Sequence, residues 1–195
     1  MTGSLGPGVP IAEIVRLATV GRRVSIATFE TLGQRSVRAQ NPEDRLRVAE
    51  ASRQIGETLV LWESLLPDAV GLQTLVDDVA AEFEESTAFA TFRQDLADSP
   101  LGPAARSVVM ALRREVAAVS AECSPVADAE FMAVLAAIAV RLDHAQAAAD
   151  PALGVQPTPS YDQDFALLLR PGTRKTFSSP LPVPKEQGNN HWTWQ

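Results

Sequence analysis

The stretch Asn41–Leu66, NPEDRLRVAEASRQIGETLVLWESLL, decides how the rest of the chain is read. Asn41 is a strong N-cap residue, and Pro42 suits the first helical position, where its missing N–H costs nothing. Glu43 and Asp44 follow, two negative charges placed where the helix dipole favours them. Downstream, Ile55, Leu59, Trp62 and Leu66 recur at i, i+4, i+7 and i+11, one face of an amphipathic helix.

The same grammar extends in both directions. Prolines at 10, 42, 67, 100, 103, 125 and 151 divide the chain into stretches that read as helix between them. Ser99-Pro100 and Ser124-Pro125 repeat the cap-then-proline pattern. The stretch Ile11–Gln40 carries Ile11, Ile14, Val15 and Ala18, then Ile26, Phe29 and Leu32; Gly21 within it marks a kink or a close helix approach. After Pro67 the stripe is Leu72, Leu75, Val76, Val79 and Phe83; after Pro103 it is Val108, Val109, Leu112, Val116 and Val119. Phe131, Val134, Leu135, Ile138 and Leu142 form the last. No run reads as a strand with hairpin turns. About five helices with short connections pack economically as an all-α, up-and-down bundle. The expected layout is a flexible N-terminus over 1–9, a bundle over 10–149 and an extended, Pro-rich arm over 150–195.

The arm has a different composition. Seven of the 14 prolines lie in 151–195, and Trp192 and Trp194 are two of the chain's three tryptophans. One short helical piece fits Tyr161–Leu169, where Phe165, Leu168 and Leu169 are placed to dock. The remainder reads as extended or polyproline-like. Disordered linkers are poor in aromatics, so the two tryptophans call for a surface to bury them. Trp192-Thr193-Trp194 puts both rings on one side of an extended strand.

Charge and composition exclude several functions. The chain of 195 residues carries a net charge of -7, against binding a phosphate backbone. The body to residue 150 holds -8 and the arm +1. Only two of the 17 basic residues are lysine, and heavy use of Arg, Ala and Val suggests a GC-rich bacterial genome. A single cysteine, Cys123, excludes a disulfide framework and a Cys-rich metal site, and suits a reducing compartment. Beside Glu122 its thiol is expected to have a raised pKa and a structural role. The longest apolar run, Phe131–Val140, is too short to span a bilayer, and no basic-then-apolar leader is visible. The expected location is the cytoplasm. No nucleophile elbow, P-loop or dinucleotide fingerprint is present.

One resemblance bears on chemistry. The stretch from Phe29-Glu30-Thr31-Leu32 to Glu57-Thr58-Leu59-Val60-Leu61-Trp62 resembles the first helix pair of ferritin-like proteins in length and spacing. It implies a bundle with an inward-facing cluster of Glu30, Glu57, Glu82 or Glu85, and His144 around a metal or small molecule. Two Glu-x-x-His pairs carry that chemistry in the family. Here Val60 stands three residues after Glu57, and Arg141 stands three before His144. Neither pair is intact, which implies that the metal has been lost; the plain alternative is that these are solvated helix-face charges. His144 beside Asp143 has the make-up of an oriented general base, or of an exposed pair at a helix end. Arg22-Arg23 and Arg113-Arg114 suit an acidic ligand or the acidic third helix, Asp77, Asp78, Glu82, Glu84 and Glu85; ion pairing within the chain or between subunits is the simpler expectation.

The function expected is non-catalytic, with no cofactor: an interaction or assembly protein whose arm engages a protein partner or another subunit through Phe165, Leu168, Leu169, Trp192 and Trp194. Wrapping of the arm on its own bundle is an equally weighted possibility. The competing class is a ferritin-like metal- or ligand-binding enzyme. A third is a cargo bundle addressed by its arm to a larger complex.

Overall fold

The structure, a computed structural model, describes residues 8–149. It is all-helical: α1 (Ile11–Arg38), α2 (Pro42–Glu63), α3 (Val70–Glu84), α4 (Thr87–Asp98), α5 (Leu101–Glu122) and α6 (Ala129–Ala149). Among the described residues there is no strand. The all-α bundle is as the periodicity predicts.

The Asn41 cap forms as its sequence dictates: Oδ1 accepts the Glu43 N–H at 3.0 Å, with Pro42 as the first helical residue. The later proline signals play out differently. The 67–100 stretch is two helices, because Ser86 interrupts it. Its Oγ donates to the Phe83 carbonyl at 2.7 Å and accepts the Phe89 N–H at 3.1 Å, closing α3 and capping α4 with one side chain. The described residues therefore form six helices where the proline spacing suggests about five. At α5 the N-cap is Pro100 itself, not Ser99. Ser124-Pro125 opens a turn, not α6, which begins only at Ala129. Asp128 organises that turn: its carboxylate accepts the Ser124 N–H at 2.7 Å and the Val9 N–H at 3.2 Å. This ties Val9, just before α1, to the α5–α6 connection.

Four long helices make the bundle. α1 and α2 are antiparallel: Trp62 lies over Gly21, Thr58 meets Ser25, and Gly56 lies beside Phe29. α6 runs antiparallel to α2, with Arg141 on Glu57 at 2.8 Å and Ala149 near Val48. It also runs antiparallel to α5, with Arg113 on Asp143 at 2.8 Å. α5 also contacts both α1 and α2, so α1 and α6 stand at opposite corners. Neighbours round the bundle thus alternate in direction, but α2 and α5 point the same way. A tight turn cannot join parallel helices end to end. α3 and α4 carry the chain back along the bundle, packing on α1.

One core joins all six helices. Its largest fully buried side chains are Trp62, Phe92, Leu32, Ile55, Leu96 and Leu112. Gly21 marks a close approach: a Cβ there would stand 2.8 Å from the Trp62 ring. Trp62 Nε1 donates to Ser25 Oγ at 3.1 Å, so the buried indole keeps a hydrogen-bond partner. Phe83 and Phe89 meet at 4.4 Å between ring centroids, where α3 turns into α4. By length and composition α6 alone, among the described helices, is long and apolar enough to cross a membrane. In the fold it buries Phe131, Leu135, Ile138, Leu142, Ala145 and Ala149 within the bundle.

Candidate functional site

At one end of the bundle, five chain segments leave a wide cavity of about 1220 Å³. The last turn of α1 brings Arg35 and Arg38, and the first turns of α2 bring Asp44, Arg47 and Val48. Pro100, Leu101 and Pro103 line it from the start of α5, and Ala149 from the end of α6. Basic residues suit the C-terminal turn of α1, where unpaired carbonyls carry partial negative charge. Arg35 does this directly, but for another helix. Its guanidinium donates to the Leu96 and Ser99 carbonyls, both at 2.6 Å, closing the end of α4. Arg45 donates to the Ala39 carbonyl at 2.9 Å, and Arg47 pairs with Glu43 one turn before it. Arg38 is exposed and makes no ion pair among the described residues. Asp44 is the single acid among the described lining residues. The basic end of an acidic chain thus opens onto a cavity larger than the roughly 300–1,000 Å³ of small-molecule sites. Its arginines, side-chain amides (Gln34, Gln40, Asn41) and apolar patches suit an extended, negatively charged segment.

The residues implied by the ferritin-like resemblance are not brought together. Glu30 is exposed on α1. Glu82 pairs with Arg16 at 3.3 Å, and Glu85 is the exposed C-cap of α3. Glu57 and His144 do reach one seam, between α2 and α6, but on the outside. There Glu57 is held by Arg53 and by Arg141. His144 is exposed and acts on Glu50 through its charge. Glu50, which the spacing argument passed over, is the most perturbed acid of this seam. Hydrogen bonds from Arg53 and then Gln54 lower its pKa to about 2, with further help from the Arg53 and His144 charges. The interior between α1 and α2 holds hydroxyls and an indole, Ser25, Thr58 and Trp62, where a metal site needs carboxylates. Among the described residues no three metal-ligating side chains cluster.

Of the two dibasic pairs, one meets the acidic third helix, through Arg23 on Glu84 at 2.7 Å; in the other, Arg113 pairs instead with Asp143 of α6. Arg22 lies 3.9 Å from Glu63 beside a smaller cavity of about 410 Å³ between α1 and α3. The Cys123 thiol has a raised pKa, through burial first and then the charges of Asp128 and Glu122. Its Sγ donates to the Val119 carbonyl at 3.3 Å, a structural use of the group. The arm residues Phe165, Leu168, Leu169, Trp192 and Trp194 lie outside the described residues.

Comparison with family models, with curated proteins and with solved structures finds no match to this chain.

Proposed function

We propose that this is a non-catalytic assembly protein: a rigid helical bundle that carries a 46-residue arm, residues 150–195, for engaging a protein partner or a neighbouring subunit. The carrying observation is that α6, the last described helix, ends at Ala149 on the lining of the basic cavity. The arm therefore follows directly from an end of the bundle where basic side chains and open volume coincide. Trp192 and Trp194 are the anchors for binding, and Phe165, Leu168 and Leu169 add apolar area that can be buried on the partner or on the bundle itself. Tryptophan buries a large area with few rotatable bonds, so it dominates many interfaces. Affinity is reduced by the cost of ordering the arm. The composition and the free thiol fit a bacterial, cytoplasmic setting without nucleic acid or membrane.

A second reading has one observation in its favour. Two antiparallel helix pairs joined by a single long crossover are the connectivity of ferritin-like bundles. On that reading the chain keeps the architecture, and the outer α2–α6 seam carries arginine–carboxylate pairs in place of a metal centre. Delivery of the bundle as cargo, addressed by its arm, is a special case of the first reading.

The test is affinity purification of the tagged full-length chain against its Trp192→Ala/Trp194→Ala variant. A stoichiometric partner, or self-association by light scattering, is expected for the first and lost in the second. An equal partner on both proteins would move the binding surface to the bundle. Iron, manganese or zinc retained at about one equivalent by the purified protein would favour an enzyme.

A further inference from the structure

The basic cavity has an occupant within reach on the same chain. We propose that the acidic segment Tyr161–Leu169 docks in the cavity of its own bundle, anchoring the root of the arm and leaving the Trp192–Trp194 tip free to reach outward. The proposal does not depend on what the tip binds.

Three observations carry it. The first is position: Ala149 lines the cavity, so the arm begins at its wall. Asp162 lies twelve positions beyond Asp150, a reach of up to about 40 Å when extended. A segment tethered this closely has an effective concentration of about 1 mM, so a free-peptide Kd of about 0.1 mM keeps it docked about nine-tenths of the time.

The second is charge. Among the described lining residues, Arg35, Arg38 and Arg47 are set against one acid, Asp44. Arg35 is committed to carbonyls and Arg47 to Glu43, so among the described lining residues Arg38 is the cation without an ion pair. Beyond Asp150, the arm's acids are Asp162, Asp164 and Glu186. Glu186 sits against Lys185, whereas Asp162 and Asp164 stand together with no base between 151 and 169. The chain after Leu169 carries Arg170, Arg174 and Lys175, which the same arginines would repel.

The third is shape and polarity. The cavity exceeds small-molecule size, and its lining adds Val48, Leu101 and Pro103 to the arginines. Phe165, Leu168 and Leu169 match that mixture: two acids, then large apolar side chains one helical turn apart.

The test uses the full-length chain and chymotrypsin, which cuts after Tyr161, Phe165 and Phe177. Cleavage at each bond is timed by mass spectrometry and divided into the rate for a synthetic peptide covering residues 158–180. Docking predicts at least about tenfold protection at Tyr161 and Phe165, and none at Phe177. Arg38→Glu, on an exposed side chain, should remove the protection without shifting the thermal midpoint. Asp162→Lys/Asp164→Lys should remove it from the arm's side, leaving the bundle untouched. The proposal is overturned by free-peptide rates at Tyr161 and Phe165 in the unaltered chain. Protection that survives both charge reversals overturns the assigned site. Protection that grows with protein concentration overturns docking on the same chain, and makes a second copy the host.

Discussion

The four long helices and the crossover pair solve the same burial problem in different ways. α1, α2, α5 and α6 have 21 to 28 residues, and each buries a stripe against at least two neighbours. α3 and α4 have 15 and 12 residues and lie on the outside of α1. α3 contributes Val79 and Phe83 to the core and α4 contributes Phe89, Phe92 and Leu96. Side-chain ties supplement that limited burial: Arg16 to Glu82, Arg23 to Glu84, and Arg35 to the last carbonyls of α4. Exposed ion pairs of this kind contribute little individually. The bundle therefore carries most of the stability, and the crossover carries the topology.

The largest effect expected from breaking that contrast is at Trp62. Trp62→Ala removes a fully buried ring and the Ser25 hydrogen bond, and should cost about 3–5 kcal/mol in urea unfolding. Phe92→Ala should cost about 3 kcal/mol and, unlike Trp62→Ala, speed hydrogen exchange first in α3 and α4. Equal acceleration in all six helices would mean that the crossover is as integral as the quartet. Gly21→Ala comes next. Its new Cβ meets three ring atoms of Trp62 at 2.8–2.9 Å, and overpacking should cost about 1–3 kcal/mol despite alanine's better helix propensity. The loss should largely vanish in a Trp62→Leu background, read as coupling in a double-mutant cycle.

Arg35→Ala sharpens the contrast at its seam. It leaves two carbonyls of the α4 terminus without their donor, and should cost about 2 kcal/mol by thermal or urea unfolding. Arg38→Ala beside it should be near neutral, since Arg38 is exposed. Glu50 gives a smaller, pH-dependent effect. Its pKa is depressed from 4.5 to about 2, so its stabilisation is present above about pH 4.5 and lost as pH falls toward 2. Its side chain is 44% exposed, so Glu50→Gln should cost under about 1 kcal/mol at pH 7. The gap between variant and parent should close in acid. Gly71→Ala is the smallest: nothing lies within 4 Å of the new Cβ, and a gain of about 0.5 kcal/mol is expected in the crossover.

Much of the fold was legible because it is local. The Asn41-Pro42 cap and the stripes around Ile55, Trp62, Val108 and Ile138 record contacts within one helix face. For Cys123 the direction of the shift was legible from its neighbour Glu122, but its main cause, burial, comes from the fold. Ser86 was legible in principle, as a strong N-cap residue, but prolines alone had been read as punctuation. The position of Glu57 was not legible. Spacing placed it on a helix face but not which way that face turned, and Arg141, which holds it, comes from 84 residues away. The cavity was equally hidden, because Arg35, Arg47, Leu101 and Ala149 share no local pattern.

By itself the amino-acid sequence determined the helices, most of their boundaries and their buried stripes. These follow from caps, prolines and periodicity, and all three act within a few residues along the chain. Only the tertiary structure decided that α2 and α5 are parallel, that α3 and α4 must cross back over α1, and that five segments open a basic cavity where the arm departs. Those outcomes depend on which stripes meet. An apolar stripe says that a face will be buried and not against what, because hydrophobic burial has no direction of its own.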